Sequence, residues 1–132
     1  MGITATTGTT GASTGRFHLG NGTGDGALAN AGVGFTLNGL NLFGVCHNGG
    51  SLVTSTINTV VALGTAYNVG IVSNGLGTVT WHVNGTQKAS STLGPTAAGL
   101  VGSSLFVVNL ENGTVGSLIS QRYHFLKIYV AQ

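Results

Sequence analysis

Four histidines, His18, His47, His82 and His124, two carboxylates, Asp25 and Glu111, and one thiol, Cys46, are the groups in this 132-residue chain that suit metal binding or general acid-base work. A metal site announces itself in sequence by ligands at short spacing, but even the nearest two histidines, His18 and His47, stand 29 positions apart. Glycoside hydrolysis needs two carboxyl groups within several ångströms, and nothing local brings Asp25 and Glu111 together. Asp25 lies in GTGDGA and Glu111 in LENGT, both turn contexts. Serines are plentiful, yet no GxSxG elbow accompanies them. Calcium prefers several carboxylate oxygens, more than two acidic residues supply. The Gly/Thr run at 7–15 lacks the lysine and the following helix of a phosphate loop. The residues therefore predict no catalytic machinery, no metal and no cofactor.

Asn21, Asn84 and Asn112 each open an Asn-Gly-Thr triplet, which fits a glycosylation acceptor and also the favoured pair of a type I′ hairpin turn. The opening MGITATTGTTGAST has neither a basic start nor an apolar run, so no secretory signal is expected and turn chemistry is the expectation for all three. Exposed aromatic rings next to amides are the usual sugar platforms, and the chain offers Trp81, Tyr67, Tyr123 and Tyr129. Alternation assigns Trp81 and Tyr67 to inward faces, whereas Tyr123, Phe125 and Tyr129 share a face with Lys127 that could serve a partner. His82 alternates with Trp81 and should point away from it. Candidate contacts for a glycan or a protein partner are thus Asn48, His82, Asn84, Tyr123, Lys127 and Tyr129. Cys46, within the apolar FGVC, reads as a small buried thiol.

Charged residues make up 5% of the chain against roughly 25% in an ordinary soluble domain, so hydroxyls and amides must keep its surface wet. A net charge of +2 spread over distant positions cannot form the basic stripe of a nucleic-acid binder, and no run approaches the ~20 apolar residues of a membrane helix. Weak self-repulsion removes a brake on contact between copies. Despite 24 glycines, a 42% hydrophobic content favours a folded, turn-rich domain over a disordered coil.

Period-two alternation recurs along the chain and helical periodicity does not. In AGVGFTLN, Ala31, Val33, Phe35 and Leu37 fall on one face and Gly32, Gly34, Thr36 and Asn38 on the other. Asn38-Gly39 predicts a hairpin turn, Asn48-Gly49-Gly50 a second, and NGLG at 74–77 a third. SLVTSTINTVVAL is too long for one flat strand without a bend. Residues 92–104 form the one long irregular segment, and SLFVVNLEN and RYHFLKIYV close the chain as strands. The expectation is an all-β antiparallel sandwich of eight to ten strands: a Gly/Thr-rich lead-in over 1–15, either a first strand or an arm, followed by one domain over 16–132.

The run GTAYNVGIVSNGLGTVTWHVNGT, residues 64–86, resembles the central hairpin of concanavalin A-like (laminin G-like) jelly rolls. Together with GTTGASTGR, AGVGFTLNGLNLFGVC and TSTINTVVALGTAY, it is similar to lectin-like domains in structural and tail proteins of tailed bacteriophages. One departure is that His124-Phe125 stands where such domains often carry an acidic residue before the aromatic, so no role of that acid carries over. The resemblance implies a two-sheet jelly roll with no catalytic residues. It also implies a structural protein on the virion exterior, assembled in the host cytoplasm as a capsid decoration or fibre domain. Its partners would be copies of itself as a homo-oligomer and other virion proteins. The alternative is a carbohydrate-binding adhesin that recognises host-envelope glycans through loops around Asn48-Gly49-Gly50, Asn84-Gly85 and residues 92–104.

Overall fold

A computed structural model of the chain describes residues 2–7, 14–22, 28–62, 64–100, 107–111 and 120–125. It contains ten strands: β1 (Gly2–Thr7), β2 (Thr14–Gly22), β3 (Leu28–Asn38), β4 (Asn41–His47), β5 (Leu52–Val60), β6 (Ala66–Ser73), β7 (Val79–Val83), β8 (Thr86–Ser91), β9 (Val107–Glu111) and β10 (Ser120–Phe125). A single 3₁₀ turn at Ala98–Leu100 is the only helical piece among the described residues. The strands form two antiparallel sheets, ordered β10-β1-β6-β7-β8 and β5-β4-β3-β2-β9. Residues 2–7, within the Gly/Thr-rich lead-in, are a strand lying between β10 and β6.

The all-β sandwich follows from the alternation. Val33, Phe35 and Leu37 of β3, Leu42 and Cys46 of β4, and Val79, Trp81 and Val83 of β7 are buried together with Ile57, Val61 and Val69 in one core between the sheets. Burying a side chain of this size contributes about 1.5–3 kcal/mol, so this single layer is what holds the two sheets together. Trp81 is fully buried at its centre. Its indole Nε1 donates across the sandwich to the Gly34 carbonyl at 2.9 Å, so the one polar atom of the ring is satisfied. A Cβ on Gly44 would collide with the Trp81 ring, 2.6 Å from both Cγ and Cε2, so β4 has a glycine where the tryptophan lands. Tyr67 is half-buried against the same core, and its hydroxyl accepts from the Ala62 amide at 2.9 Å.

The turns follow local chemistry. Asn84 and Gly85 both have positive φ, 51° and 79°, the requirement of a type I′ turn between Val83 and Thr86. In the β3–β4 hairpin the two loop residues are Gly39 and Leu40, flanked by the pair Asn38 and Asn41. Only Gly39 has positive φ there, the pattern of a turn with glycine at its first central position. The Asn-Gly pair is thus displaced by one from the loop centre, because inward-facing Leu37 and Leu42 must be opposite each other. Asn21-Gly22 corrects the expectation of three turns: both residues belong to β2, with Gly22 paired to Leu28. Asn112 lies outside the described residues. The bend expected in SLVTSTINTVVAL is a register shift in β5, where Phe43 pairs with Thr56 but Leu42 pairs with Thr59.

Candidate binding surface

Strand register dictates what the outer face of the second sheet carries. Arg16 and His18 of β2 stand across from Thr36 and Gly34 of β3, and Thr36 and Gly34 stand across from Phe43 and Val45 of β4. Val45 in turn pairs with Thr54 of β5, two positions after Leu52. These residues, with Asn38, line an open concavity of about 280 Å³. Its wall toward β5 is apolar, from Phe43, Val45 and Leu52, and the remainder offers a guanidinium, an imidazole, hydroxyls and an amide.

His18 is buried and forms a 3.1 Å hydrogen bond between Nε2 and the Thr36 hydroxyl. Its ring lies over Gly34, where a Cβ would collide with the ring and with the Phe17 carbonyl. Arg16 and His18 both take part in the protein's own interactions, so neither is a free charge waiting for a ligand. Leu52 is 51% exposed at the rim, a leucine presented to solvent on a strand.

The candidates expected from sequence fall elsewhere, and the structure does not bring them together. Asn48 closes the β4–β5 loop, where its Oδ1 accepts from the amides of Gly50 (2.8 Å) and Ser51 (2.9 Å). Asn84 is at the opposite end of the sandwich. There its Oδ1 accepts from the Asn68 amide at 2.9 Å, near the contact between Tyr67 and Ala62. The Asn48 end is marked by Cys46, whose thiol reaches the Leu93 carbonyl at 3.5 Å, and by Gly94 packed on Val79. Of the three loops expected to act together, 48–50 and the described part of 92–104 therefore share an end and Asn84-Gly85 does not, while 101–104 lie outside the described residues. The Asn48 carboxamide is occupied in holding its own loop, and that of Asn84 ties the β7–β8 turn to β6.

His82 points away from Trp81 as alternation requires, on the outer face of the first sheet. It is half-buried, with Nε2 3.0 Å from the Thr80 hydroxyl. Tyr123 belongs to β10, opposite Ile3 of β1. Lys127 and Tyr129 lie outside the described residues, as does His124's expected neighbourhood beyond Phe125.

His47 and Cys46 are also engaged in structure. The Gly49 amide donates to Nδ1 of His47 at 3.0 Å, which leaves the proton of the neutral ring on Nε2. Cys46 has no exposure, and burial pushes its thiol above the ordinary value, with a weaker opposing pull from a Ser91 hydrogen bond. Among the described residues no three of His, Cys, Asp and Glu gather into a group that could hold a metal ion. What the outer face can do is bind by shape, through an apolar wall and hydrogen-bonding groups already fixed by neighbouring strands.

The concavity was missed in sequence although one signal was present. In NLFGVC, Leu42, Gly44 and Cys46 take one face, so Phe43 and Val45 had to occupy the other, and a strand with bulky apolar residues on both faces announces a second contact surface. Compared with family models, curated proteins and solved structures, the chain has no match in any of the three.

Proposed function

We propose that the chain is a non-enzymatic structural module of a bacteriophage particle, displayed on its exterior, and that it works by docking the outer face of its second sheet onto another virion protein or a further copy. The observation that carries this reading is the concave apolar wall of half-buried Phe43, buried Val45 and exposed Leu52 on the outer face of the second sheet, which no strand among the described residues covers. Supporting it, three histidines and the thiol are bonded within the fold, in arrangements that hold loops and strands. A jelly-roll path belongs to the same proposal. It is supported by the pairing of β1 with β10 and of β2 with β9, which returns the end of the chain to its beginning in both sheets.

A second reading has one observation in its favour: an aromatic ring at the edge of a hydrogen-bonding concavity also suits a pyranose, so a glycan ligand would sit beside Phe43. Phe43→Glu tests the first reading and separates it from the second. Virions are assembled with the wild-type or variant chain supplied in trans, and the purified chain is tested in parallel for binding to host cells with free sugars as competitors. Wild-type incorporation, lost in a Phe43→Glu chain that still melts like the wild type, supports docking. Sugar-competable cell binding with incorporation unchanged in the variant transfers the surface to glycan recognition and overturns the assembly reading.

A further inference from the structure

Among the described residues strand β5 ends its sheet, and its hydrogen-bonding groups can be assigned from the hairpin that precedes it. A two-residue loop places the flanking residues Asn38 and Asn41 in a mutually hydrogen-bonded pair, so the amide and carbonyl of Asn41 face β3. Alternation along β4 then turns Gly44 and Cys46 toward β5, where they bond to their partners Ser55 and Val53. The 3.3 Å bond from the Asn48 amide to the Ser51 carbonyl continues the same phase. The amides and carbonyls of Leu52, Thr54 and Thr56 consequently project away from the sheet, and among the described residues no strand pairs with them.

We infer that this edge, over 52–56, is the site at which a second copy of the chain adds its own β5, antiparallel and centred on Thr54. The inference rests on the assembly reading and names its first contact. A two-fold axis at Thr54 pairs Thr54 with itself and Leu52 with Thr56 of the other copy, so each outward amide finds an outward carbonyl. The segment is self-complementary and bounded on both sides. The Asn48 turn closes it before Leu52, and the register shift after Thr56 ends the straight run.

Charge favours this edge over its neighbour. LVTSTINTV has no charged residue and no proline, so two copies meet without like-charge opposition, whereas β8, the edge of the other sheet on that side, carries exposed Lys88. The new pairing is continuous with the concavity, because Leu52 and Thr54 line it. Two sheets would join into one surface, with the concavities of both copies side by side.

The test uses the full chain, with sedimentation velocity across a concentration series and amide hydrogen exchange read residue by residue. The wild type is expected to dimerise, with the amides of Leu52, Thr54 and Thr56 protected in the dimer and released on dilution, while Val53 and Ser55 stay protected throughout. Thr54→Lys puts two ammonium groups opposite each other at the axis and is expected to weaken dimerisation by roughly tenfold or more. Thr54 is exposed, so the variant should fold, and Leu52→Lys gives an independent check. Lys88→Ser should leave the dimer unchanged. A wild type that stays monomeric while still entering virions overturns the β5 pairing and leaves the assembly reading standing. A dimer that Thr54→Lys does not weaken, or one without the alternating protection, overturns it as well.

Discussion

The same device, a glycine under an aromatic ring, serves both faces of the second sheet with different consequences. On the inner face Gly44 makes room for Trp81, which arrives from the opposite sheet and reaches the Gly34 carbonyl. On the outer face Gly34 makes room for His18, which comes from the adjacent strand of the same sheet and bonds to Thr36. The inner contact joins two layers, so its loss separates them. The outer contact shapes one layer's surface, so its loss should alter the concavity and leave the sandwich standing.

Removing the rings breaks the comparison most directly. Trp81→Ala should cost about 3–5 kcal/mol in urea unfolding, a large part of an ordinary domain's stability. Gly44→Ala should cost about 3 kcal/mol, because the added methyl meets a ring that has no free space to move into. His18→Ala should cost only about 1.5 kcal/mol, the scale of one buried hydrogen bond and a partial void, while docking through the outer face declines. If His18→Ala destabilised as much as Trp81→Ala, the distinction between joining and shaping would fail.

Two smaller effects sharpen it. Asn84→Ala should cost about 1–2 kcal/mol by thermal unfolding, since alanine is strained at φ 51° and the bond to the Asn68 amide is lost, and Asn84→Gly should recover the strain component alone. The smallest effect concerns Cys46, which lies on the inner face. Burial raises its thiol pKa, so the folded state favours the neutral form. Its contribution is fully present below the ordinary thiol value of 9.0 and is lost as pH rises through the raised one. Above pH 9.0 the wild type should therefore lose stability faster than Cys46→Ala, measured as the difference between their unfolding free energies at each pH.

Much of this was legible in the residues because it depends on neighbours in sequence. Alternation in AGVGFTLN and TVTWHVN settled which side chains face the core, and Asn84-Gly85 specified its turn through the φ values that only such pairs adopt readily. The candidate surface was not legible in the same way. Asn48 and Asn84 looked alike as amide-bearing turns, yet each is at its own end, and Asn48 uses its carboxamide on its own loop whereas Asn84 uses it to hold β6. Arg16, Thr36, Phe43 and Thr54 come together only because four strands align in register.

The sequence by itself determined an all-β chain with one dry core, poor in charge, because period-two patterning and composition act residue by residue. The tertiary structure alone decided which glycine receives Trp81, which face of the second sheet carries the concavity and which of the described strands ends it. Those outcomes depend on the order of strands and their register, and both are set by long-range pairing that no local pattern encodes.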